Sequence, residues 1–123
     1  MRRLLGITVL ALGLTACGGD DGESTECDFE ITVDNGTAPT YNFTGGNASS
    51  VNVVRDADPA TVVWGVFANP PGTDSIASPV QHGTVPADAS QGAADEITLS
   101  VGVFYTVIIA RTDGTSCEES FVP

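Results

Sequence analysis

Lysine is absent from this 123-residue chain, histidine and tryptophan occur once each, and the only bases are Arg2, Arg3, Arg55 and Arg111 against sixteen acids. So few cations argue against a nucleic-acid partner, because binding phosphate requires basic side chains that displace counterions. The same deficit makes the chain unsuited to lying on an anionic lipid surface. Catalytic equipment is equally sparse. His82 sits in Ser78-Pro79-Val80-Gln81-His82-Gly83 with no Gly-x-Ser-x-Gly elbow or other nucleophile signature around it. It reads as a strand-end histidine facing water, and no catalytic residue or cofactor is assigned. The carboxylate pairs Asp95-Glu96 and Glu118-Glu119 are adjacent, so on strands they point to opposite faces and do not converge on a substrate.

Long apolar runs are also missing. Leu4 to Leu14 is the longest, at eleven residues, well short of the roughly 20 that a transmembrane helix needs. With Arg2 and Arg3 before it and Leu14-Thr15-Ala16-Cys17 after it, the run has the order of an export signal over residues 1–16. Leu14-Thr15-Ala16-Cys17 resembles the lipobox of bacterial lipoproteins. The resemblance implies cleavage before Cys17 and acylation of its thiol, palmitate-type chains included, and two or more chains hold a protein stably on a membrane. Gly18 stands where an aspartate would retain many such proteins at the inner membrane. The expected location is therefore the outer membrane or cell surface, with the membrane itself contacted only through lipid.

Removing residues 1–16 leaves 107 residues, enough for one domain with one modest core. Residues 17–26, Cys-Gly-Gly-Asp-Asp-Gly-Glu-Ser-Thr-Glu, are small, polar and acidic beyond the cysteine. They cannot bury apolar surface and read as a flexible tether, so the domain spans 27–123. All sixteen acids remain beside two arginines, a net side-chain charge of −14 that keeps such a module soluble and apart from its neighbours. Cys27 and Cys117 stand at opposite ends of the domain, and an oxidising compartment favours their pairing as a disulfide. Free or metal-binding thiols are the alternative.

Helical periodicity is nearly absent after residue 16, whereas short β-branched and aromatic runs recur between Gly, Pro, Asn and Asp clusters. That pattern predicts an all-β sandwich of about seven strands, with a closed barrel as the alternative. The strands are expected at Cys27–Asp34, Tyr41–Thr44, Ser49–Arg55, Thr61–Ala68, Val80–Val85, Glu96–Ser100 continuing after a turn as Val103–Arg111, and Ser116–Val122. Asn35-Gly36, Gly45-Gly46, Asp58-Pro59 and Asn69-Pro70-Pro71-Gly72 supply the breaks, and Asp113-Gly114 predicts an antiparallel hairpin. Residues 86–95 read as an Ala-rich loop.

Leu99-x-x-Gly102-x-x-Tyr105-x-Val107-x-Ile109 resembles the tyrosine corner and following strand of fibronectin type III and other immunoglobulin-like domains. The resemblance implies that the Tyr105 hydroxyl reaches back to the backbone at the turn. Tyr41-Asn42-Phe43-Thr44-Gly45-Gly46 is similar to the second strand of that family, with Phe43 at the position of its tryptophan. Trp64 falls on a different strand from the family tryptophan.

Two strands are apolar on both faces: Tyr105, Val107 and Ile109 alternate with Phe104 and Ile108, and Val62, Trp64 and Val66 with Val63 and Phe67. One buried face per sheet suffices for a sandwich. Either residues 69–95 fold over the second face, the expected arrangement, or Phe104, Ile108, Val63 and Phe67 meet a partner. These features predict a noncatalytic, membrane-tethered module that mediates protein interaction in the bacterial envelope. One alternative is a carbohydrate or small-ligand binder stacking its ligand on Trp64 and Tyr41. Another is a weak calcium module using Asp56, Asp58 and Asp74.

Overall fold

A computed structural model describes residues 27–123. The expected signal peptide, the lipidated Cys17 and the tether lie outside the described residues. The domain is all-β, with eight strands: β1 (Ile31–Val33), β2 (Thr40–Phe43), β3 (Ser50–Arg55), β4 (Asp58–Ala68), β5 (Val80–Gln81), β6 (Ala89–Ala94), β7 (Tyr105–Ala110) and β8 (Ser116–Phe121). They form two antiparallel sheets packed face to face, β1-β2-β5 and β6-β4-β3-β7-β8. The sandwich expected from the sequence is therefore present.

Alternation builds the core. In the five-stranded sheet Val53 lies between Trp64 and Val107, and Val51 between Val66 and Ile109, so these side chains share the inner face. Tyr41, Phe43 and Val80 belong to the same buried cluster from the smaller sheet, joined by Phe29 and Ile76. Each fully buried side chain of this kind contributes about 1.5–3 kcal/mol through the apolar area it removes from water.

Several expected elements differ. Asp58-Pro59, expected as a break, opens β4, and the strand expected at Val80–Val85 is confined to Val80–Gln81. The first strand is confined to Ile31–Val33 rather than starting at Cys27. Glu96–Ser100 is a loop, because its backbone bonds go to separate places: Glu96 N–H donates to the Val63 carbonyl in β4 and Leu99 N–H to that of Thr37 in the loop after β1. Ala89–Ala94, expected as loop, is an edge strand paired with the end of β4. β4 itself runs for eleven residues, so it offers a pairing edge that low β-propensity in Ala, Ser and Gly does not prevent.

The segment 69–95 therefore does not fold over the outer face of the large sheet. It supplies β5 to one sheet and β6 to the edge of the other. Chain entry at Phe29 lies with the 44–47 and 111–115 turns at one end, stitched by Arg111. Its guanidinium stands 3.9 Å over the Phe29 ring and donates to the carbonyls of Thr44, Gly46 and Asn47. The loops around Pro39, His82, Asp56 and Glu96–Phe104 form the far end.

Candidate functional site

The far end holds the densest polar network in the described residues, and its hub was not legible in the sequence. Glu96 Oε2 accepts from Arg55 Nε at 2.7 Å and Oε1 from the Tyr105 hydroxyl at 2.8 Å. The Glu96 carbonyl is 2.7 Å from His82 Nε2. Arg55 beside it, with help from Tyr105, holds the Glu96 carboxyl below its usual range and raises the guanidinium in return. Tyr105 also accepts the Ser100 N–H at 2.9 Å. This is the backbone contact that the tyrosine-corner resemblance implied, made five residues upstream.

His82 is not a strand-end residue facing water. It is 2% exposed, its Nδ1 lies 2.8 Å from the Tyr41 hydroxyl, and its ring stands 4.6 Å from Trp64. The bond that fits both neighbours has Tyr41 donating to Nδ1 and Nε2–H donating to the Glu96 carbonyl, which fixes a neutral tautomer. Burial lowers the His82 pKa below its ordinary value and pushes that of Tyr41 up. With both ring nitrogens occupied and no solvent access, the imidazole serves structure and has no free nitrogen for a substrate.

Trp64 and Tyr41, expected as stacking platforms for a ligand, are both fully buried. They lie 6.5 Å apart, ring to ring, inside the core, so neither offers a face to a glycan. Both sit at inward positions of their strands, a distinction that composition alone did not reveal. Trp64 Nε1 is buried without a hydrogen-bond partner among the described residues.

The three aspartates expected for calcium do not converge. Asp56 accepts the Thr106 hydroxyl at 2.6 Å near the start of β7, whereas Asp74 caps Thr112 beyond its end, taking the N–H and the hydroxyl at 2.9 Å each. The length of β7 separates them, and among the described residues no three His, Cys, Asp or Glu side chains gather as a metal set.

The expected interaction residues divide. Phe104 is 63% exposed and Phe67 41%, and Ile108 is half-buried, all three on the outer face of the large sheet. Val63 is not part of that face. A bulge between Val53 and Val54 shifts the register so that Val62 opposes Val54, and Val63 turns into the core beside Trp64. Val101 and Val122, not singled out in the sequence, are also exposed near Phe104, where the Gly102 N–H donates to the Pro123 carbonyl.

Cys27 and Cys117 come together where β8 passes β1, as two free thiols and not the expected disulfide. Hydrogen bonding to Cys117 raises the Cys27 thiol pKa. They line an open groove of about 270 Å³ with Phe29, Ile31, Glu118 and Glu119, below the usual size of a pocket for a drug-sized ligand. Comparison of the chain with protein-family models, with curated proteins and with solved structures finds no match.

Proposed function

We propose that this chain is a noncatalytic module, anchored to a membrane through acylated Cys17, that mediates protein interaction in the bacterial envelope. The observation that carries the reading is the exposure of Phe104 and Phe67 on one sheet face, extended by Val101 and Val122 at the far end. Phe104, Val101 and Val122 lie together at the far end, with Phe67 at the opposite end of the same face, and exposed apolar patches mark interaction sites. The occupied, buried state of His82 and the dispersal of the aspartates leave binding by surface as the chemistry at hand.

The domain type that fits is immunoglobulin-like. Strand order β1-β2-β5 against β4-β3-β7-β8 resembles the family pattern, with β6 added at the β4 edge as a departure from it, and the Ser100–Tyr105 contact supports the resemblance. In an oxidising compartment, the outer membrane or cell surface on this reading, Cys27 and Cys117 are suited to oxidation to a disulfide by a thiol–disulfide oxidant.

In-cell crosslinking of the lipoprotein in its host, with mass spectrometry of what is attached, tests the reading. A reproducible envelope partner lost on Phe104→Asp and retained on a surface control such as Thr98→Asp is expected. Phe104 is exposed, so the variant folds. Recovery of the chain alone, beside a control complex that does crosslink, rejects the interaction reading.

A further inference from the structure

β6 has strand neighbours on one side only. Among the described residues it is the free edge of the five-stranded sheet, and no strand of the smaller sheet makes contact with it. The register shows which of its backbone groups look outward. Ala68 N–H donates to the Ser49 carbonyl, so the main-chain groups of Ala68 point at β3, away from its β6 partner Ala89. Antiparallel pairs alternate between bonded and unbonded. Ser90 therefore bonds to Phe67 across the ladder, while the N–H and C=O groups of Ala89 and Gln91 point away from β4, outward from the sheet.

Sequence chemistry makes this edge unusual. Residues 89–94, Ala-Ser-Gln-Gly-Ala-Ala, carry no charge, no proline and no bulky side chain, although edge strands are commonly blunted by lysine or proline. An irregularity in the pairing between Trp64 and Val66 is taken up by the Gln91 amide, which donates to the carbonyls of Gly65 and Ala93 at 2.8 Å each. It leaves the outward groups of Ala89 and Gln91 untouched. Asp88 and Asp95 bracket the strand, both exposed and neither ion-paired among the described residues.

We propose that the β6 edge accepts an extended segment of a partner protein, uncharged over its middle and carrying lysine or arginine at both ends, as an added strand. Main-chain bonds at Ala89 and Gln91 would supply affinity in the manner of β-augmentation. The flanking carboxylates select the ends. A second copy of this chain fits poorly: antiparallel self-pairing of Asp88–Asp95 sets Asp88 against Asp95 at both ends, and like charges directly opposite destabilise a ladder. The inference rests on the interaction reading and gives it a second surface, separate from Phe104.

The test uses the full chain in detergent and an eight-residue peptide, Lys-Val-Thr-Val-Thr-Val-Thr-Lys, with capped termini. Binding is expected to slow amide exchange at Ala89 and Gln91 by roughly tenfold or more, and to weaken severalfold when Asp88 and Asp95 are both changed to Asn or when salt is raised. The same peptide methylated on every backbone nitrogen, which removes the donors from both of its edges, should not bind in either register. Binding without protection of Ala89 and Gln91, no binding, or protection of those amides by self-association without peptide each overturns the proposal. The crosslinking experiment separates the two readings. A partner lost with Phe104→Asp but unaffected by the Asp88→Asn, Asp95→Asn pair sinks the edge proposal and leaves the module reading intact. Absence of any cellular partner, with the peptide still bound at β6, does the reverse.

Discussion

His82 gives up hydration when the chain folds, and both of its ring nitrogens are committed, to the Tyr41 hydroxyl and to the Glu96 carbonyl. Its folded pKa lies below the ordinary 6.5, with desolvation as the main cause. The unfolded chain therefore takes up this proton first as pH falls. Stability is full above about pH 6.5 and declines below it until the lower folded value is reached. Glu96, held below its ordinary 4.5 mainly by Arg55, adds a second loss as pH falls below that value. Thermal unfolding should therefore show a plateau near neutrality and a fall in Tm on mild acidification. His82→Gln should lower Tm on the plateau, by a destabilisation of about 1–3 kcal/mol from leaving Tyr41 without its partner, and should abolish the first part of the acid slope. A wild-type slope that survives the substitution would assign it elsewhere. At this scale the sequence misled. Nothing in Gln81-His82-Gly83 distinguishes a solvent-facing imidazole from one sealed beneath Trp64.

Among the elements, β4 carries the largest share of the sheet, pairing with β3 on one side and β6 on the other. Gly65 allows this. The Asn52 side chain crosses over its Cα, and a Cβ there would meet Asn52 Oδ1 and stand 3.1 Å from the Val51 carbonyl. The Asn52 side chain would have to swing aside, and the Val51 carbonyl, which is backbone, would have to give slightly. Gly65→Ala is expected to destabilise by about 1–3 kcal/mol, the usual range for overpacking, seen as a lower urea midpoint. Gly92→Ala, whose added atom stands 3.3 Å from the Gly65 carbonyl, should cost less. The β-branched runs of β3, β4 and β7 were legible because burial and propensity agree there. β6 and the Glu96–Ser100 loop were not, since an edge offered by a long neighbour made a strand of weak formers, and side-chain bonds from Tyr105 and Arg55 held a good strand former in a loop.

For the whole molecule, the chain's first described residue and its last strand meet at the Cys27–Cys117 pair. Oxidation there would close a loop of about 90 residues, worth at most about 4–5 kcal/mol in the chain-entropy model. Cys27 is exposed, so Cys27→Ser perturbs little packing. Denaturant unfolding should show the variant less stable than wild type in oxidising buffer and equal to it under reductant, alongside a free-thiol count of zero in unreduced, unfolded wild type once Cys17 is acylated. Two titratable thiols would show that the pair stays reduced.

Period-two alternation between turn clusters determined the all-β class and most strand positions, because those depend on local propensity and on which residues avoid water. The deficit of cations was equally plain, and the two arginines of the domain are bound to Glu96 and to loop carbonyls. Only the tertiary structure decided which apolar residues of a two-sided strand face inward. The bulge that buries Val63, the inward positions of Trp64 and Tyr41, and the outward exposure of Phe104 and Phe67 all follow from register between strands distant in sequence. A one-residue shift in pairing exchanges the two faces, and register is fixed by the packed sheets as a whole, beyond what any single segment specifies.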